Sequence, residues 1–172
     1  MLRLPLRLAR EDDPHFCMRR AVLPPHVAAL LEEASIVRVA TVAPDGAPNV
    51  APFWFHFDGA RIVLDTLENG SVRNIRSEPR VAVLVDLGVV FDELRTATIR
   101  GVARAFDPEE APAVVADGVE AIRAAHAEEL VTPVFEHYAH GETRASVYVE
   151  ITPLHARWWS PQGQPELERR RT

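Results

Sequence analysis

The chain has 172 residues, 25 acidic against 19 basic side chains for a net charge of −6, and a single cysteine, Cys17. That length suits one domain burying about 70% of its unfolded surface, and a lone cysteine excludes an intrachain disulfide framework and fits a reducing compartment. The acidic balance argues against nucleic acid as a partner, since phosphate neutralisation needs a basic face, and no segment approaches the ~20 apolar residues of a membrane span.

In chain order, Met1–Arg10 alternates Leu with Arg and lacks the apolar run and small-residue cleavage site of a secretory signal, so a cytoplasmic protein is expected. Residues 1–24 show no clear periodicity and read as an arm that packs on the domain or on a partner subunit. Cys17, with no nucleophile motif around it, reads as a structural or incidental thiol. Pro24-Pro25 then introduces a short helix, His26–Ala34, whose Val27, Leu30, Leu31 and Ala34 share one face, suited to plugging a barrel end. Strands are expected at about 36–43, 48–57, 60–66, 80–86 and 95–106. Pro44-Asp45-Gly46 and Asp58-Gly59 fold the first three into two antiparallel hairpins. A polar segment with helical character, Thr66–Arg76, separates the third strand from the fourth. Pro108–Leu130 carries helical periodicity behind Asp107 as N-cap and reads as the one long helix. Val131–Gly141 reads as a further helical turn, and Ser146–Ile151 and Ala156–Trp159 as the final strands. The domain therefore spans 25–160, and the Arg-rich stretch 161–172 is a polar tail.

Many short strands and one late helix predict a mainly β fold, a small closed or split barrel with helices, rather than a doubly wound sheet. There is no G-x-G-x-x-G and no P-loop lysine, so a dinucleotide or P-loop site is unsupported. No Ser-His-Asp order, nucleophile elbow or paired-carboxylate spacing supports a hydrolase. His137 and His140 lie three apart without a nearby third ligand, so with His126 they do not make a metal site.

An ordered set of short motifs across residues 27–106 resembles the pyridoxamine 5'-phosphate oxidase-like superfamily, the split β-barrel flavin and deazaflavin oxidoreductases. The set is Ala40-Thr41, Gly46-Ala47-Pro48, the Pro-aromatic strand Pro52-Phe53-Trp54-Phe55, Arg73-Asn74-Ile75, Glu78-Pro79-Arg80-Val81 and Arg100-Gly101-Val102-Ala103. The resemblance implies a Greek-key split barrel that forms a homodimer and holds FMN at the subunit interface, with the deazaflavin F420 as the alternative cofactor and haem as a more distant one. The function it implies is hydride transfer to or from a small molecule; the alternative is a non-catalytic flavin- or haem-binding barrel, or a cofactor-free structural dimer. It places the cofactor phosphate at the end of the third strand and the segment after it, and the ring along the Pro-aromatic strand. Carried to this sequence, the cofactor-binding set is Pro52, Phe53, Trp54, Phe55, Asp65, Thr66, Ser71, Arg73 and Asn74, with Trp158 reaching a partner's cofactor. Family members often have lysine where Ser71 stands.

The residue types agree with that chemistry. A flavin mononucleotide carries a doubly charged phosphate and a flat ring, so its site needs cations and hydroxyls at one end and apolar surface at the other. Thr66, Asn69, Ser71, Arg73, Asn74 and Arg76 supply donors, and a helix beginning at Ser71 would add free backbone N–H groups. The plainer reading of Arg73-Asn74 is a helix cap with surface ion pairs. Along the aromatic strand, Phe53, Phe55 and Phe57 alternate to one face, expected to be core, and Trp54 and His56 to the other. His56 fits a pocket or the surface equally, and Trp158-Trp159 fits a lid over the barrel end as well as a cofactor contact.

Overall fold

The computed structural model describes residues 22–132 and 145–162. The arm before Val22, Cys17, most of the turn expected at 131–141, and the tail after Gln162 lie outside the described residues. Helix α1 (Pro25–Glu33) precedes strands β1 (Ile36–Val42), β2 (Pro48–Phe57) and β3 (Ile62–Leu67); helix α2 (Gly70–Ser77) leads to β4 (Arg80–Leu87) and β5 (Arg95–Phe106). Helices α3 (Ala113–Ala125) and α4 (Ala127–Leu130) and strand β6 (Ser146–Trp159) complete the described chain.

The six strands close a barrel in the order β1-β2-β3-β6-β5-β4, every pairing antiparallel. The run β4-β1-β2-β3 within it is a Greek key, as expected. The two predicted hairpins form where the turn chemistry placed them. Gly46 and Gly59 take φ values of 88° and 84°, which a side chain would resist. In each turn the preceding aspartate caps backbone: Asp45 Oδ1 accepts from Ala47 N at 3.0 Å, and Asp58 Oδ1 from Arg61 N at 2.7 Å.

Alternation builds the interior. Val37 and Val39 of β1, Ile62 and Leu64 of β3, Val83 of β4 and Ile99 of β5 are all buried in one cluster. Val27, Leu30 and Leu31 of α1 join that cluster from one end, the plug that their spacing predicts. Phe53, Phe55 and Phe57 pack against it from β2, also as expected. β3 is apolar on both faces at its start because Val63, pointing outward, lies under α3 with Val115, Val119, Ile122 and Tyr148. A β-carbon on Gly118 would sit 2.9 Å from Val63 Cγ2, so glycine is what lets α3 approach the sheet this closely.

Two expectations are corrected. The helix predicted over 108–130 is broken: Pro108–Glu110 is a 3-10 turn, α3 starts only after Pro112, and His126, at φ −116° and ψ 25°, separates α3 from α4. Ala111, forced out of helical geometry by the proline after it, has ψ 135°, and Asp107 makes no side-chain cap bond. The two final strands are one, β6, running through Pro153. Proline, lacking an N–H, is tolerated because the register against β5 shifts between Arg100 and Gly101, a bulge where no regular ladder bond is required. Gly101 belongs to this device, since a β-carbon there would lie 2.6 Å from the Thr152 carbonyl oxygen.

Candidate functional site

The barrel is sewn unevenly. β2 meets β3 only at Phe55, His56 and Phe57, opposite Leu64, Val63 and Ile62. Beyond that point β2 pairs with β1 alone, and Asp65, Thr66 and Leu67 of β3 pair with β6 alone. The strands diverge, and a cleft of about 740 Å³ occupies the split. Its walls are β2 from Asn49 to Trp54, the end of β3, the first turn of α2, and Ile122, Arg123 and Leu130 from α3 and α4.

One end is polar. Asn69 caps α2, its side-chain oxygen accepting from Val72 N at 3.1 Å while its amide donates to Thr66 Oγ1 at 3.0 Å. Gly70 and Ser71, at the first two positions of α2, have no intrahelical acceptor for their N–H groups. Ser71 is 4% exposed, and its hydroxyl accepts from Asn49 Nδ2 at 3.0 Å. Behind it the buried Thr41 hydroxyl accepts from Asn74 Nδ2 at 3.0 Å and, longer, from Asn49. These bonds pin α2 to β1 and β2. Arg73, exposed on α2, folds back so that Nη2 is 3.9 Å from the position of a β-carbon on Gly70. No ion pair among the described residues involves Arg73.

The other end is largely apolar. Trp54 stands on the outer face of β2, and the His126 ring stacks on it at 4.1 Å and 7°. Pro52, Phe53, Ile122 and Leu130 continue this wall. Between the ends Asp65 Oδ2 accepts from Arg123 Nε at 2.9 Å. Burial pushes the Asp65 carboxyl above its usual range, against the opposing pull of Arg123.

The sequence pattern of the family described as pyridoxamine 5'-phosphate oxidase matches residues 23–160. The chain belongs to this family. Solved structures agree on the fold. A conserved hypothetical protein from Mycobacterium tuberculosis shares it at a TM-score of 0.62 and 24% identity, over 86% of this chain and 92% of that one. An F420 reductase does so at 0.59 and 22%, over 78% and 98%, and the haem storage protein of Vibrio cholerae at 0.57 and 16%, over 81% and 95%.

Of the residues picked out in the sequence of this pyridoxamine 5'-phosphate oxidase-family barrel, Pro52, Phe53, Trp54, Asp65, Thr66 and Ser71 line this same cleft. Arg73 lies at its polar rim. Phe55 turns into the barrel core and Asn74 is buried behind Ser71, where it braces Thr41. Trp158 is elsewhere: it lines a second hollow with Glu33 and Arg95 and makes an edge contact with His26 at 5.1 Å. Its indole nitrogen is buried without a partner among the described residues. His56 is half-buried on the outer face beside Trp54 and is not among the cleft-lining residues. The ion pair foreseen in the plainer reading involves Arg76, which pairs with Glu68 and Asp107, and the cap is Asn69.

Sequence reasoning missed Asn49, Arg123, His126 and Leu130. Asn49 carried a signal, being a polar residue at an inward position of an apolar strand. The donor set at Asn69–Arg73 fits a phosphate, and the Pro52–Trp54 wall fits a flat ring, so the residues present suit a phosphorylated flavin.

Proposed function

We propose that this protein binds a phosphorylated flavin, FMN or the deazaflavin F420, in the β2–β3 split and acts as a cytoplasmic homodimeric oxidoreductase on a small molecule. One observation carries the reading: a cap-ordered helix start with free N–H groups, a buried serine hydroxyl and an arginine with no ion pair among the described residues converge at one end of a cleft whose other end is aromatic and apolar. Gly70 and Ser71 would donate to the phosphate and Arg73 would neutralise part of its charge. Trp54, Pro52 and Phe53 would bear on the ring, with Leu130 and Ile122 limiting water on that side. When bound, such a cofactor supplies hydride chemistry that the side chains themselves cannot. The chain's own share is to orient the ring and to keep α2 fixed through the Asn49, Thr41 and Asn74 bonds.

The test is titration of the purified protein with FMN and F420 separately, followed by cofactor fluorescence and absorbance. Saturable binding of one is expected, weakened about ten- to a hundredfold by Arg73→Ala, because a charge-assisted contact is worth about 1.5–3 kcal/mol. Folded protein that binds neither, or that binds haem alone, overturns the proposal.

A further inference from the structure

Among the described residues that line the cleft, Asp65 and Arg123 are the charged ones. Their pairing is one-sided. Arg123 Nε bonds Asp65 Oδ2, Arg123 Nη1 reaches Glu120 Oε1 at 3.2 Å, and the guanidinium lies 5.6 Å from the Tyr148 ring centroid. The single positive charge is thus shared between two carboxylates, leaving the group net negative by one. Asp65 Oδ1 receives no hydrogen bond from a described residue, the side chain is 21% exposed, and the residue lines the cleft. A partly buried carboxylate on a cavity wall that holds an arginine through one oxygen keeps its other oxygen as an acceptor. The phosphate-friendly groups belong to a different wall, Asn69–Arg73, so this acceptor cannot serve an anion there.

Resting on the flavin-cleft reading above, we infer that Asp65 is the specificity-determining acceptor of the cleft: it selects flat ligands that present an N–H donor at this point and rejects those that present a carboxylate. Arg123 is its positioning residue. Arg123 holds Oδ2, so the free oxygen keeps one direction, and its charge is too committed to Asp65 and Glu120 to attract a ligand anion. Partial burial of Asp65 raises the cost of leaving its second oxygen without a donor once a ligand has displaced water from the cleft, which sharpens the preference for a ligand that supplies one.

The experiment measures dissociation constants by quenching of tryptophan fluorescence for two flat probes without phosphate: lumichrome, which is neutral with N–H donors, and 2-naphthoate, which carries a carboxylate. The wild-type protein is expected to bind lumichrome more tightly than 2-naphthoate. In Asp65→Ala, lumichrome weakens by about ten- to a hundredfold, while 2-naphthoate tightens because Arg123 is released. Opposite movements of the two probes cannot come from partial unfolding, which weakens both. Should the alanine variant fail to fold, Asp65→Asn decides: its amide oxygen retains much of the lumichrome affinity, and loss of the negative charge still tightens 2-naphthoate. Probes that move together, or not at all, overturn the inference. If FMN still binds in that case, the flavin reading survives alone; if no flat probe and no FMN binds, both fall.

Discussion

The seam between β5 and β6 and the seam between β2 and β3 are made of the same material and end differently. The first is paired from Thr96 opposite Trp159 to Phe106 opposite Tyr148, and it absorbs a bulge at Gly101 without opening. The second closes only from Phe55 to Phe57 and then parts. Where the ladder continues, the barrel gains cooperative stability from residues such as Ile99, which is fully buried. Where the ladder stops, the unspent strand edges and the helix start of α2 define the cleft. Stability and the proposed binding are thus assigned to different seams.

That division can be broken by mutation. The largest effect is expected from Ile99→Ala on the sealed side, which should cost about 2–5 kcal/mol of unfolding free energy in urea titration, with the cofactor dissociation constant of the folded fraction unchanged. A parallel loss of affinity would show that the seams are coupled. Next comes Gly118→Val, which forces side-chain atoms into Val63 and should cost about 1–3 kcal/mol. Because α3 carries Ile122 and Arg123 into the cleft, this variant should lose ligand affinity as well as stability; affinity that survives would detach α3 from the site. The smallest effect concerns the Glu33–Arg95 pair beside the second hollow. The Arg95 guanidinium holds the Glu33 carboxyl below its ordinary range. A depressed carboxylate stabilises the native state above its unfolded pKa and loses that contribution as pH falls through the folded one. Glu33→Gln should therefore flatten the acid limb of the stability–pH curve slightly, since the pair is exposed and screened. An unchanged limb would make the pair energetically neutral.

The fold was legible where local chemistry decides it. Pro44-Asp45-Gly46 and Asp58-Gly59 mark the hairpins, and the alternation of Phe53, Phe55 and Phe57 orients β2. Legibility failed at residues whose role depends on partners far away in sequence. Pro112 and His126 interrupt a helix that periodicity alone runs straight through. Pro153 suggests a strand end until the register shift opposite Gly101 accommodates it. Half of the cleft, Ser71, Thr66 and Trp54, was visible as donor and aromatic clusters in one stretch of chain. Arg123, Leu130 and His126 were not, because packing between segments far apart in sequence, Gly118 on Val63 among it, brings α3 over the split.

The serine at the second position of α2 gains meaning from its neighbour. Asn49 donates to Ser71 Oγ, so the hydroxyl has spent an acceptor lone pair and keeps its hydrogen to give. The group enters the cleft with its donor hydrogen still to place and one acceptor site already filled. If the proposed anion binds here, a buried hydroxyl meets it as a neutral dipole and leaves the positive charge to the exposed Arg73, which avoids the desolvation that a buried ammonium would impose.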